Sequence, residues 1–262
     1  MSLAWITVPL LQVLSVAIFF VIFFAIIFSA IIASASGATA TVDIATIRGL
    51  LVAYAVSAFI ISIFNALMLY RLVRRRNSHF TRGLFLYEDL AGAAREAAAK
   101  KGVDVSVSLN NLERLRRDAS VDERVRDPIL WSAILVFAAG ATIPSFSSVS
   151  GFSGIAVVSI FAQYYVYYFL MKEWFRHERR EDYFLYEFSR IIAALGVSVA
   201  PPVRSQSIPD RSFIVYIILT IFTVGFYGVY WVYVLLSDPN HHFRYQAMVE
   251  DAVVGQLSAM TV

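Results

Sequence analysis

The polarity of this chain comes in blocks. Five apolar stretches stand out, at Pro9–Ser34, Leu50–Tyr70, Pro128–Ile143, Phe152–Met171 and Ser212–Leu236. A helix needs about 20 apolar residues to cross a bilayer, and four of the five approach or exceed that length. Between them lie polar segments with helical periodicity. Leu84, Tyr87, Leu90 and Ala94 share one face of Leu84–Lys101, and Leu109, Leu112 and Leu115 do the same in Ser108–Arg117. Ser120-Val121-Asp122-Glu123 fits the capping box of a helix start. Pro201, Pro202 and Pro209 break the chain before the last block. The prediction is an all-α, polytopic helical membrane protein built from three pseudo-repeated hydrophobic hairpins, each followed by an amphipathic cytosolic helix.

Three units follow. Residues 1–127 hold the first hairpin and its cytosolic segment, 128–211 the second, and 212–262 the third with a C-terminal amphipathic tail. Ala35–Ile47 and Pro144–Gly151 are the expected external loops. Ala33-Ser34-Ala35 resembles a signal-cleavage site, but the apolar run before it is too long and carries no Lys or Arg, so an uncleaved span is expected.

Composition strengthens the membrane reading. Hydrophobic residues make up 59% of the chain, against about 45–50% in a soluble domain. Of the 22 Lys and Arg, all but Arg48 and Arg244 lie in Arg71–Arg126 or Lys172–Arg211. Basic residues collect on the cytosolic side of a bilayer, which places both segments and the N-terminus in the cytosol, in a plasma membrane. Cysteine is absent, which excludes disulfides, thiol catalysis and cysteine metal sites. No P-loop, dinucleotide-binding glycine pattern or nucleophile elbow is present. The basic segments match no nucleic-acid module.

One spacing recurs three times. Tyr70, Tyr168 and Tyr233 each precede a histidine by nine residues, at His79, His177 and His242, in a Tyr-x-Leu-x6-His pattern. An acidic residue follows each, at Glu88, Glu187 and Glu250. Asn65 and Gln163 both sit five residues before their tyrosine. The Tyr and His residues are expected to be interfacial anchors at the membrane boundary. Binding of anionic headgroups or a protein partner is the second reading. A divalent metal gathered round a pseudo-threefold axis is the third, since imidazole suits zinc, but no metal-ligand spacing motif supports it, so no metal and no cofactor are expected. Asn65 and Gln163 are the intramembrane polar groups, and such amides hydrogen-bond between helices.

The repeat bears on the third block. A straight crossing at Ser212–Leu236 puts the third histidine outside, whereas a re-entrant hairpin turning at Gly225 and Gly228 puts all three inside. Thr223-Val224-Gly225-Phe226-Tyr227-Gly228-Val229-Tyr230-Trp231, followed by Asn240-His241-His242-Phe243, resembles the signature of a prokaryotic membrane family of unknown function. That family carries Thr-x-Gly-aliphatic-Tyr-Gly-x-Tyr-Trp, and Phe226 departs from it at the aliphatic position. The resemblance covers about residues 212–250 and implies a membrane location, with no activity to carry over.

The leading expectation is a non-enzymatic scaffold or accessory subunit whose partners are the bilayer, anionic headgroups, and other membrane subunits or further copies of itself. A channel with Gly225 and Gly228 as a gate is the first alternative. A lipid-acting membrane enzyme using His79, His177 and His242 is the second.

Overall fold

The computed structural model describes residues 1–36, 44–147, 154–197, 204 and 206–260. Most of the expected external loops, and Pro201 and Pro202, lie outside the described residues. Among the described residues, seven helices follow a short 3-10 turn at Leu3–Ile6: α1 Thr7–Ala35, α2 Ile44–Lys101, α3 Ser106–Asp122, α4 Pro128–Ser147, α5 Gly154–Ala194, α6 Phe213–Phe222 and α7 Phe226–Met260. No strand occurs among the described residues. Two helical stretches, Leu3–Ala35 and Ile47–Lys101, are long and apolar enough to cross a membrane.

Three helices run further than the apolar pattern suggests. α2 spans 58 residues, α5 41 and α7 35. Each continues from an apolar half into an amphipathic half without a break. The polar stretch Arg71–Arg82 thus lies inside a helix. Its buried face carries Leu72, Val73, Arg76, His79, Phe80 and Gly83 at helical spacing.

Three packed layers follow from this. The apolar end gathers Met68, Leu69, Leu72, Val166, Phe169, Leu170, Tyr216, Trp231 and Leu235. The far end is a second core, in which Leu90, Ala94, Leu112, Phe184, Phe188, Ile191 and Val249 join α2, α3, α5 and α7. A thin aromatic layer of Phe80, Trp174 and Ile208, with Phe175 and Phe243, lies apart from both. The amphipathic segments therefore pack on one another.

The expected capping box is a correction. Ser120 lies inside α3, where its hydroxyl donates to Arg117 O at 2.7 Å. Glu123 is the C-terminal cap of α3, and its carboxylate is turned toward α5. The cap of the next helix is Asp127, whose Oδ1 accepts from the Ile129 and Leu130 N–H groups at 2.8 and 3.0 Å.

The third apolar block does not form one straight helix. It breaks at Thr223–Gly225 and folds back, so that Tyr216 packs on Trp231 at 5.1 Å and Gly228 faces Thr220. Val224 and Gly225 have φ of 51° and 92°. The Gly225 N–H donates to Thr220 O at 2.7 Å, and Thr223 Oγ1 accepts from Tyr227 N–H at 2.8 Å. Thr223 thus serves the ends of both helices. α6 has 10 residues, about 15 Å at 1.5 Å per residue. Its tip meets α1 early, at Val13. Gly228 belongs to α7 and is no part of the turn.

Ala at Gly225 would hold a Cβ in the left-handed region, 3.4 Å from Val13 Cγ2. We expect Gly225→Ala to destabilise the fold by about 1–2 kcal/mol, read as a lower melting temperature in detergent. Gly228→Ala meets only an ordinary 3.5 Å contact with Thr220 Cγ2 and should melt near wild type. Equal melting of the two variants would contradict this account of the turn.

Candidate metal centre

His79 on α2, His177 on α5 and His242 on α7 meet in the aromatic layer. The Nε2 of His79 lies 3.0 Å from that of His177 and 2.9 Å from that of His242. Each residue is about 1% exposed. Aromatic rings hold the imidazoles in place. Trp174 stacks on His79 at 5.3 Å, Phe80 stacks on His177 at 4.4 Å, and Phe243 meets His79 edge-on at 4.6 Å.

Sequence reasoning places these histidines at a lipid boundary. The structure buries them against one another, where no headgroup reaches. The objection to a metal was the lack of a spacing motif. That objection has little force for residues 98 and 163 positions apart, because the fold brings them together.

The Nδ1 atoms of His177 and His242 face carboxylates. Glu123 Oε1 is 3.1 Å from His177 Nδ1. Arg180 also pairs with Glu123, and with Asp122 at 2.5 Å. Glu178 Oε2 and Glu181 Oε2 lie 3.5 and 3.8 Å from His242 Nδ1. Arg204 donates to Glu178 at 3.0 Å, Glu181 at 2.7 Å and Asp182 at 2.9 Å, and approaches His242 Nδ1 at 3.4 Å. The Ile208 N–H donates to Glu178 at 2.6 Å. Carboxylates and guanidiniums thus alternate round His177 and His242, with Asp122 on Arg180 and Arg179 beside Asp182. Arg75 and Arg82 act on the His79 side, where Nδ1 is buried without a hydrogen-bond partner.

Proton counting shows why the cluster is unsatisfied by itself. An imidazole Nε2 has one in-plane orbital, holding either a proton or a lone pair. It serves one hydrogen-bond partner well, yet His79 Nε2 has two within 3.0 Å. The two contacts compete for that one orbital. A divalent metal ion held by His79, His177 and His242 would take up ring lone pairs and relieve the competition. Carboxylates are the usual companions of histidine ligands; here they lie near Nδ1 of His177 and His242, and the Arg204 guanidinium also approaches His242 Nδ1. Zn–N bonds of about 2.05 Å at tetrahedral angles put nitrogens about 3.3 Å apart, close to the 3.0 and 2.9 Å that separate His79 Nε2 from its two neighbours.

Burial tends to raise Glu123 and Glu178, but His177 and Arg180 in one case, and His242, Arg204 and the Ile208 N–H in the other, hold both carboxyls below their ordinary range. Burial first, then the two neighbouring histidines, Arg82 and Arg75, push His79 strongly down, so it stays neutral.

The sign of the pH effect follows. An unfolded His79 takes up a proton near its ordinary value of about 6.5, whereas the folded one refuses it. The unfolded state therefore binds more protons below that pH, and stability falls as pH drops. Glu123 and Glu178 lose their contribution in the same direction at lower pH still. We expect the metal-free protein to melt lower at pH 5.5 than at pH 7.5, and His79→Gln to flatten that slope. An unchanged slope would contradict the burial of a neutral His79.

The remaining sequence candidates are placed differently. Glu88 and Glu250 are exposed, and Glu187 pairs with Arg190 at 3.2 Å. None of the three is among the carboxylates facing the histidines. Tyr70 is half-buried, while Tyr168 and Tyr233 are 37% and 39% exposed. Asn65 donates to Gln163 Oε1 at 3.1 Å, and Gln163 donates to Tyr167 Oη at 3.0 Å, which joins α2 to α5. Gly225 sits at the turn between α6 and α7, and Gly228 at their crossing. Sequence reasoning missed Glu123, Arg180 and Arg204, which lie 57 and 38 positions from partners they meet. Glu178 was nearer to hand, as the neighbour of His177.

Residues 211–261 match a family described as a domain of unknown function, DUF4234. The matched segment holds the α6–α7 fold-back and His242. No curated protein and no solved structure matches the chain.

Proposed function

We propose that this chain is a multi-pass plasma-membrane protein whose cytosolic end is tied together by one divalent transition-metal ion of the zinc class. His79, His177 and His242 hold the ion. The convergence of their three Nε2 atoms, all within 4.8 Å of one another, carries the reading. In this view the protein is a non-enzymatic scaffold, an accessory subunit of a larger membrane complex. The metal clips three pseudo-repeated hairpins into one rigid cytosolic body.

Several observations support the membrane part. Val21, Phe28, Ile31 and Ile32 on α1 are 58–69% exposed, which water would penalise and lipid would not. Asn240 bonds Met1 through both its amide groups, and Arg71 lies over the Trp5 ring. The N-terminus, the basic end of the second apolar block and the start of the histidine segment thus share one end, as expected if all three face the cytosol. The short α6–α7 hairpin suits a re-entrant element, since irregular backbone at that depth is tolerated where protein covers it.

The test is elemental analysis of protein purified in detergent without chelator. About one equivalent of zinc or a related metal is expected, and none in the His79→Ala/His177→Ala/His242→Ala variant. Metal-free wild type that cannot be loaded would overturn the reading.

The ligand count favours one second reading. Three ligands leave a position for water, as in catalytic zinc sites. Hydrolysis of lipid or ester substrates that disappears in His177→Ala would favour an enzyme over a scaffold.

A further inference from the structure

A polar cavity of about 320 Å³ borders the histidine cluster at Glu123 and is lined by Arg124, Arg126, Arg176 and Arg180 together with Asp122, Glu123 and Glu173. None of the three histidines lines it. Arg126 is held by Glu173 at 2.6 Å and Arg180 by Asp122 at 2.5 Å, so these two guanidiniums are fixed in the wall. Arg124 and Arg176 are exposed, and their side chains make no ion pair or hydrogen bond. Four guanidiniums against three carboxylates leave the cavity positive, with two cations free to take a ligand.

Its place in the fold narrows the ligand. Arg124 and Arg126 lie in the short link between α3 and α4, just before the apolar run that starts at Pro128. Arg176 lies five residues beyond Met171, the last residue of the apolar stretch on α5. If the apolar blocks are lipid-embedded, the cavity opens at the depth of the inner-leaflet phosphates. Guanidinium forks match phosphate oxygens in geometry as well as charge.

We infer that this cavity binds a phosphate group, carried by an anionic phospholipid headgroup or by a soluble phosphate. Arg124 and Arg176 supply the free charge, and Arg126 and Arg180 frame the site. The inference does not depend on the metal: Glu123 and Arg180 belong to both sites, but Arg124 and Arg176, which carry the free charge, pair with none of the histidines.

The test uses the full chain in zwitterionic detergent. Binding of phosphatidylglycerol, phosphatidylcholine and inorganic phosphate is followed by native mass spectrometry and by melting temperature. Phosphatidylglycerol should bind in preference to phosphatidylcholine, and Arg124→Gln/Arg176→Gln should weaken it roughly 30-fold. The charge-matched pair Arg114→Gln/Arg117→Gln, on the exposed side of α3, should bind as wild type. Displacement of the lipid by millimolar inorganic phosphate would identify a soluble phosphate as the ligand, and retention of the lipid would identify the headgroup. Either outcome supports a phosphate site. Equal binding by wild type and the Arg124/Arg176 variant, or no binding of any probe, would overturn it. Unchanged helicity and metal content in that variant would show that the fold and the histidine site are intact, so that the two readings fail separately.

Discussion

Replacing His177 with alanine should weaken metal binding on the order of a hundredfold or more. Structural zinc sites bind with about 10 kcal/mol or more in total. If three imidazoles share that, each carries about 3 kcal/mol, or somewhat over a hundredfold in Kd. Truncation also leaves Glu123 without its imidazole, and Glu123 is 4% exposed. The milder change Glu123→Gln keeps the ligand and removes only the charge on its outer nitrogen, so about 10–100-fold is expected. Competition with a chelator of known affinity gives both numbers. Metal affinity that is the same in wild type, Glu123→Gln and His177→Ala would show that the ion is bound elsewhere.

Arg204→Met should cost about 3–5 kcal/mol of stability, the ordinary penalty for breaking a buried charge network from one side. The Arg204 side chain is 6% exposed and joins Glu178, Glu181 and Asp182. Its ring-facing side lies over Tyr245 at 3.8 Å. Without it, three carboxylates crowd round His242. Asp182 is already pushed up by burial, which Arg204 only partly offsets, so loss of the guanidinium should make the variant take up a proton. A bound divalent cation adds positive charge near the same group. The Arg204→Met penalty should therefore be smaller in metal-loaded protein than in metal-free protein. Thermal melting of the four species, wild type and variant with and without metal, measures this coupling. Equal penalties in both states would separate the arginine network from the metal.

The sequence carried the right residues under a different interpretation. The nine-residue spacing between Tyr and His selects the three histidines that meet, because each lies at an equivalent point where an apolar helix continues into an amphipathic one. Reading them as boundary residues assumed that helices end where apolarity ends. α2 instead runs through Arg71–Arg82, where the buried Arg76 forms an ion pair with Glu173 at 2.9 Å and donates to the Arg124 carbonyl at 2.7 Å. Periodicity registers side-chain polarity and does not foresee such compensation. The break at Gly225 was legible from a residue tolerant of positive φ in the middle of an apolar block. Gly228 was misread as part of the turn, since a close helix crossing leaves the same mark in a sequence. Ser120–Glu123 matched a local capping pattern, but Glu123 is claimed by Arg180 and His177, 57 and 54 positions further on. Contacts of that range leave no local trace.

Zinc K-edge X-ray absorption on the detergent-purified protein tests the central claim most directly. The first coordination shell should hold three imidazole nitrogens at about 2.0–2.1 Å and a fourth light ligand, lost together with the bound zinc in the triple histidine variant. A shell without imidazole scattering, or an unaltered spectrum in that variant, would contradict it.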